Sequence, residues 1–305
     1  MTATDVFPQR EKNVRYSDRS ALNTLEYCLP QPWRSSRRLW IIYIHGGAWQ
    51  DPEIDASSFG NAQDLLMKSR ELEHIAGFAS INYRLSPYPS HPRLPSDPSD
   101  PARNAHHPDH INDVLAALHY LQDTFHFSHE YLLVGHSCGA TLALQVAMSR
   151  NWAAHRESTQ ASQPNVVPPV AILGVEGLYD LPALVENHSD QPVYKDFVAN
   201  AFGPDEAQWA ATSPTSGDYE ASWPTGKLVV LAHSREDELV EWDQVDRMHR
   251  ALRTQGFDEA QGDQRLKLVE LSGKHDQVWQ EGRELARAIQ ETVQVIGSSI
   301  RGFLL

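Results

Sequence analysis

Residues 131–148, YLLVGHSCGATLALQVAM, pass from a continuous apolar run through Gly135-His136-Ser137-Cys138-Gly139 into a segment with Leu142 and Val146 at helical spacing. A strand buried on both faces is joined here to a helix by a glycine-serine-glycine turn. Such a turn lifts the serine hydroxyl above the end of a sheet, and the flanking glycines relieve the crowding. Chance would supply roughly 0.1 matches of this kind in a chain of ordinary composition. This match has a strand before it and a helix after it, which a serine that merely ends a strand does not require. Ser137 is therefore the candidate nucleophile. His136 is adjacent but unsuited to be its base, because neighbours on a sharp turn point in different directions. It reads as a packed histidine supporting the turn.

Working outward, further apolar runs stand at 39–44 (LWIIYI), 75–83 (IAGFASINY), 170–175 (VAILGV), 227–233 (KLVVLAH) and 266–271 (LKLVEL). Most are continuous rather than alternating, as a parallel sheet covered on both faces requires. Helical patterns near 60–71, 109–124, 138–150, 239–254 and 278–295 fall between them. The alternation predicts an α/β fold, a doubly wound, mostly parallel sheet with helices on both faces, and one domain over 1–305. Two stretches interrupt the rhythm. Residues 86–108 hold seven prolines, which remove amide donors and restrict their predecessors, so an irregular excursion is expected there. Residues 151–169 read as a surface loop.

The 305 residues suffice for a large core, and 26 basic against 40 acidic side chains give a formal net charge of −14. That charge repels phosphate backbones and anionic membranes, so neither nucleic acid nor a membrane is expected as a partner. The N-terminus lacks an apolar run of signal-peptide length, and no stretch approaches the roughly 20 apolar residues of a membrane span. A soluble cytoplasmic protein is expected. Two cysteines without CxxC spacing indicate neither a disulfide framework nor a zinc knuckle. Fifteen histidines raise the question of metal, but HExxH is absent, and no metal site or cofactor is expected. The oligomeric state, a homodimer among the options, is not legible.

A serine hydroxyl is a weak nucleophile until a histidine takes its proton, and that histidine needs a carboxylate to fix its tautomer. The last two apolar runs end in suitable loops. KLVVLAHSREDELVEW offers Asp237, flanked by Glu236 and Glu238, and LKLVELSGKHDQVW offers His275 behind Gly273. The order serine, acid, histidine is that of α/β-hydrolase folds. Attack on a carbonyl also creates an oxyanion, and amides can converge on it only where no side chain obstructs. Gly46 and Gly47, after the 39–44 run, meet that need, and the amide of Cys138 supplies another donor. Trp49, just behind, is either one wall of a pocket for a flat ring or simply core.

HGGAW at 45–49, NYRLSP at 82–87, HINDVLAAL at 110–118, GHSCGA at 135–140, GLYDL at 177–181, EDELV at 236–240 and GKHDQVW at 273–279 together resemble kynurenine formamidase (arylformamidase) of the fungal type, over roughly residues 40–285. The resemblance implies hydrolysis of N-formyl-L-kynurenine to L-kynurenine and formate, within tryptophan catabolism toward NAD and without a cofactor. It implies Ser137 as nucleophile, His275 as base and then acid, Asp237 as its orienter, and Gly46, Gly47 and Cys138 as amide donors. It also puts Trp49 at the substrate pocket. The proline-rich excursion at 86–108 looks longer than the family's pattern. A short-chain carboxylesterase would share every catalytic part, and a hydrolase fold kept only as a ligand receptor usually lacks one of the three residues filled here.

Overall fold

The computed structural model describes residues 6–32, 38–148, 165–258 and 265–300. Its centre is an eight-stranded sheet: β1 (Gln9–Arg15), β2 (Thr24–Leu29), β3 (Leu39–Ile44), β4 (Ile75–Ile81), β5 (Tyr131–His136), β6 (Ala171–Val175), β7 (Leu228–Ser234) and β8 (Arg265–Leu271), in the order β1-β2-β4-β3-β5-β6-β7-β8. The six strands from β3 onward stand where the apolar runs predict them and pair in parallel. The first two were not expected. They pair antiparallel, β1 on β2 and β2 on β4, and β1 (QREKNVR) is mostly solvated, so it carries almost no hydrophobic signal.

Successive side chains of a strand point to opposite faces, and the core divides accordingly. On one face Trp40, Ile42 and Ile44 of β3 join Val114, Leu118 and Leu121 of α2 (Asp109–Phe125) and Leu142 and Leu144 of α3 (Cys138–Ala147). On the other face Leu39, Ile41 and Tyr43 meet Ala62 and Leu66 of α1 (Gly60–Leu66) and Leu285, Ile289 and Val293 of the long C-terminal helix Arg283–Ile300. Helices on both faces explain why β3 and β5 are buried at every position. The fold is the expected doubly wound, mostly parallel α/β sheet.

Between β6 and β7 the chain leaves the sheet to form four helices: α4 (Leu181–Asn187), α5 (Pro192–Phe202), α6 (Glu206–Thr212) and α7 (Tyr219–Ser222). The sequence reading gave this region no structure. Beyond β7 follow α8 (Trp242–Thr254), then after β8 α9 (His275–Glu281) and α10, the C-terminal helix. The proline-rich stretch 86–108 is irregular, with one short 3-10 turn at Pro101–Arg103. It is tied down by backbone bonds from Ser86 to Trp49, Ala105 to Leu85 and His107 to Ala201. Most of the loop expected over 151–169 lies outside the described residues.

Candidate active site

Parallel strands end on one edge of the sheet, and the groups singled out from the sequence gather there. Ser137 caps the start of α3 with φ 54° and ψ −125°, a region that side chains other than glycine rarely occupy. The turn needs its glycines because backbone crosses close beneath it. A Cβ on Gly139 would press into the carbonyls of Ile44 and His45, and one on Gly135 into the backbone of Gly139. The Ser137 amide donates to Val175 at 2.8 Å, anchoring the turn to β6.

His275 opens α9, and Gly273, at φ +99°, makes the turn before it. Its Nδ1 donates to Asp237 Oδ2 at 2.8 Å, with both side chains buried. Asp237 is fixed in turn, since its Oδ1 accepts from the amides of Leu239 (2.9 Å) and Val240 (2.8 Å). Of the flanking glutamates, Glu238 reaches the same histidine: its Oε2 accepts from the His275 amide at 3.2 Å. Ser137 and His275 border the same pocket. Among the described residues, however, neither Ser137 Oγ nor His275 Nε2 makes a hydrogen bond, so the serine and the imidazole face one space without yet being joined. Catalytic hydrogen bonds are often long without substrate and tighten in the complex.

Gly47 (φ +93°) and Ala48 line the pocket beside Ser137. Gly46 lies just beneath: a Cβ there would stand 2.9 Å from His136 Nδ1 and 3.0 Å from Ser137 Cβ. His45 braces the loop, stacked on Tyr83 with centroids 4.4 Å apart, and burial lowers its pKa to about 4, which keeps it neutral. Cys138 is fully buried and its thiol is pushed up to about 11 by burial. Its Sγ accepts from the Trp49 amide at 3.2 Å and so ties α3 to the glycine loop.

Trp49 requires a correction. It is not an exposed pocket wall: the indole is fully buried and absent from the pocket lining. Ala48 and Trp49 both have positive φ, and the amides of Gln50 and Asp51 both donate to Gly47, so the loop curls back and turns the ring inward. There it meets Phe202 edge-on at 5.0 Å and Phe197 at 6.2 Å. Trp49 thus supports the wall from behind.

The wall itself is α5, through Val193, Tyr194 and Phe197, joined in the lining by Leu239, Val240 and, from the proline-rich stretch, Tyr88. Together with Gln50, Asp51, Gln191 and Asp276 they enclose about 290 Å³. The sequence reading missed α5, although Tyr194, Phe197, Val198, Ala201 and Phe202 recur at helical spacing.

It also missed Glu176, directly after β6. This side chain is fully buried, its Oε2 3.3 Å from His136 Nε2 and 3.7 Å from His275 Nδ1. Burial first, then the charge of Asp237, raises its pKa to about 10, so it holds a proton at neutral pH. His136 packs against the His275 ring at 4.7 Å, and burial keeps it neutral. Among the described residues, two groups present three donors each that could meet at a metal ion: His136, Glu176 and His275, and, at the rim, Asp51, Glu53 and His91. In the first, His275 Nδ1 is already committed to Asp237. In the second, His91 Nδ1 accepts from the amides of Arg93 and Leu94, which leaves Nε2 with the hydrogen and facing the carboxylates rather than free to ligate.

A family model described as BD-FAE matches residues 26–252. The chain is 41% identical over 286 residues to a kynurenine formamidase-like hydrolase, fscH, of Fusarium equiseti, covering 92% of each chain. It is 36% identical to the kynurenine formamidase avaC of Aspergillus versicolor (79% of this chain, 84% of the other) and 31% identical to the kynurenine formamidase of Meyerozyma guilliermondii (88% and 89%). Among solved structures, esterase B from Lactobacillus Rhamnosis superposes with a TM-score of 0.67 at 18% identity, over 96% of this chain and 88% of that one. A truncated carbohydrate esterase from gut microbiota does so with 0.64 at 18% identity, over 96% and 99%. At such identities the likeness speaks for the fold alone.

Proposed function

Since the chain belongs to the BD-FAE family and to the kynurenine formamidases, and is a hydrolase on that account, we propose that it cleaves N-formyl-L-kynurenine to L-kynurenine and formate through Ser137, His275 and Asp237. The observation that carries the mechanism is the 2.8 Å bond from His275 Nδ1 to Asp237 in a pocket that Ser137 also borders. Asp237 holds the imidazole with its hydrogen on Nδ1, leaving Nε2 free to accept.

Ser137 Oγ attacks the formyl carbon while His275 Nε2 takes the hydroxyl proton. The carbonyl electrons move to oxygen, where the amides of Gly46, Gly47 and Cys138 receive the charge; one such donor contributes about 2.7–4 kcal/mol. As the tetrahedral intermediate collapses, the carbon–nitrogen bond breaks and His275 returns its proton to the leaving arylamine. Water, deprotonated by His275, then attacks the formyl ester on Ser137, releasing formate and restoring the hydroxyl. The apolar side chains of α5 offer a surface for the aryl ring. On this reading the reaction belongs to tryptophan catabolism toward NAD.

Comparing kcat/KM for N-formyl-L-kynurenine with that for nitrophenyl acetate tests the substrate. A preference for the formamide is expected, and a strong preference for the ester would instead make the protein a general carboxylesterase.

A further inference from the structure

Two carboxyl groups, from neighbouring strands, face one imidazole nitrogen. Asp237, after β7, is bonded to His275 Nδ1 at 2.8 Å, and Glu176 Oε2, after β6, stands 3.7 Å from the same atom. The second oxygen, Oε1, is buried without a hydrogen-bond partner. A carboxyl placed only to fill space could be a glutamine or a methionine at lower desolvation cost. We propose that Glu176 is a latent second partner of His275, a positioning residue that takes over orientation of the imidazole when the Asp237 carboxylate is removed. The proposal rests on the Ser137–His275–Asp237 reading.

The geometry makes the exchange short. Oε2 must approach Nδ1 by about 1 Å to reach ordinary hydrogen-bond distance. Because Glu176 hangs from its own strand, with its amide on the Ala232 carbonyl at 2.8 Å, loss of the Asp237 side chain leaves its anchorage in place. The groups facing it are His136 from β5, His275 and Asp276 from α9, and Asp237 and Glu238 from the loop after β7; His233 stands against Asp237 at 3.5 Å. Every charged member of this set is an acid, so only the histidines and the Ser234 backbone amide, which favours the carboxylate, can compensate an ionised Glu176. Removing Asp237 takes away the nearest negative charge, lowering the pH at which Glu176 ionises and leaving it the only carboxyl facing His275 Nδ1 among the described residues.

The test is a double-mutant cycle on the full chain: wild type, Asp237→Ala, Glu176→Gln and the double variant, assayed from about pH 6 to pH 10 on both N-formyl-L-kynurenine and nitrophenyl acetate. The glutamine side chain keeps the shape of Glu176 but cannot ionise. Glu176→Gln should cost only a few-fold in kcat/KM beside intact Asp237 but at least about tenfold in the Asp237→Ala background, a coupling that independent sites do not show. The Asp237→Ala activity should also climb with pH as Glu176 ionises, and the climb should vanish in the double variant. Equal residual activities and equal pH profiles for Asp237→Ala and the double variant would overturn the proposal. Should Asp237→Ala not fold, Asp237→Ser, whose hydroxyl can still cap the Leu239 and Val240 amides, takes its place. Reading the cycle on the ester as well separates the two claims: absence of formamidase activity sinks the substrate assignment, whereas the cycle sinks only the role of Glu176.

Discussion

The two sides of the pocket have different origins. On the reactive side, Gly46 and Gly47 follow β3, Ser137 follows β5, Glu176 follows β6, Asp237 follows β7 and His275 follows β8, so that five strands adjacent in the sheet each deliver one component. On the facing side, the wall comes from α5, with Trp49 packed behind Phe197 and Phe202 and only a few ties beside the packing, among them the His107 amide on the Ala201 carbonyl and the Tyr194 hydroxyl on the Leu239 carbonyl. Strand spacing and the sheet's backbone bonds fix the first side, and the second rests mainly on the fit of apolar surfaces. Changes on the reactive side should therefore act on kcat and changes on the wall on KM.

The largest effect is expected at the proposed nucleophile. Ser137→Ala should lower kcat by about four to six orders of magnitude while KM stays within a few-fold, as measured by steady-state release of kynurenine. Gly46→Ala comes next, because the new methyl would press on Ser137 Cβ and His136 Nδ1. A loss of about 10²–10³ in kcat is expected, and a change confined to KM would break the comparison. On the other side, Phe197→Ala should raise KM for the aryl substrate about tenfold with kcat changed less, the scale of a lost apolar contact in a binding pocket. A collapse of kcat there would mean that the wall also aligns the reacting atoms.

Smaller still is a pH effect on stability. Glu176 keeps its proton up to about 10 in the folded state, against an ordinary value of 4.5. The folded protein thus holds a proton that the unfolded chain has released above about pH 4.5. That contribution is complete below the unfolded value and is lost as pH rises toward 10. The wild type should accordingly lose stability relative to Glu176→Gln by about 1 kcal/mol per pH unit between neutral and pH 9, measured by urea midpoints. The smallest effect is expected at Arg93, which is largely exposed and ion-paired to Glu53 at the pocket rim. Arg93→Ala should change stability by under about 0.5 kcal/mol, checked in the same denaturation experiment.

The reactive side was largely legible in the sequence, because each component follows an apolar run and needs a residue type that stands out there: glycines after LWIIYI, GHSCG after YLLV, Asp237 and His275 after the last two runs. Glu176 is harder to read, a lone acid just after VAILGV with no motif around it, though an acid at the end of a wholly buried strand is itself a signal. The facing wall was hardly legible. Pro182, Pro192 and Pro214 break the 181–222 region into short helices, and a helix packed on side chains has no turn chemistry to mark its function. Trp49 shows the limit: its place after two glycines was readable, but the positive φ of Ala48 and Trp49 decides which way the indole turns. The polar β1 was invisible for a related reason, since an antiparallel edge strand needs little apolar surface.

The most direct measurement is intact-mass and peptide mapping after treatment with a fluorophosphonate. Stoichiometric modification of Ser137, absent in Ser137→Ala and slowed by at least about a hundredfold in His275→Ala, is the predicted result. Labelling that persists in Ser137→Ala, or that proceeds at the same rate without the imidazole, would contradict a relay running from Asp237 through His275 to Ser137.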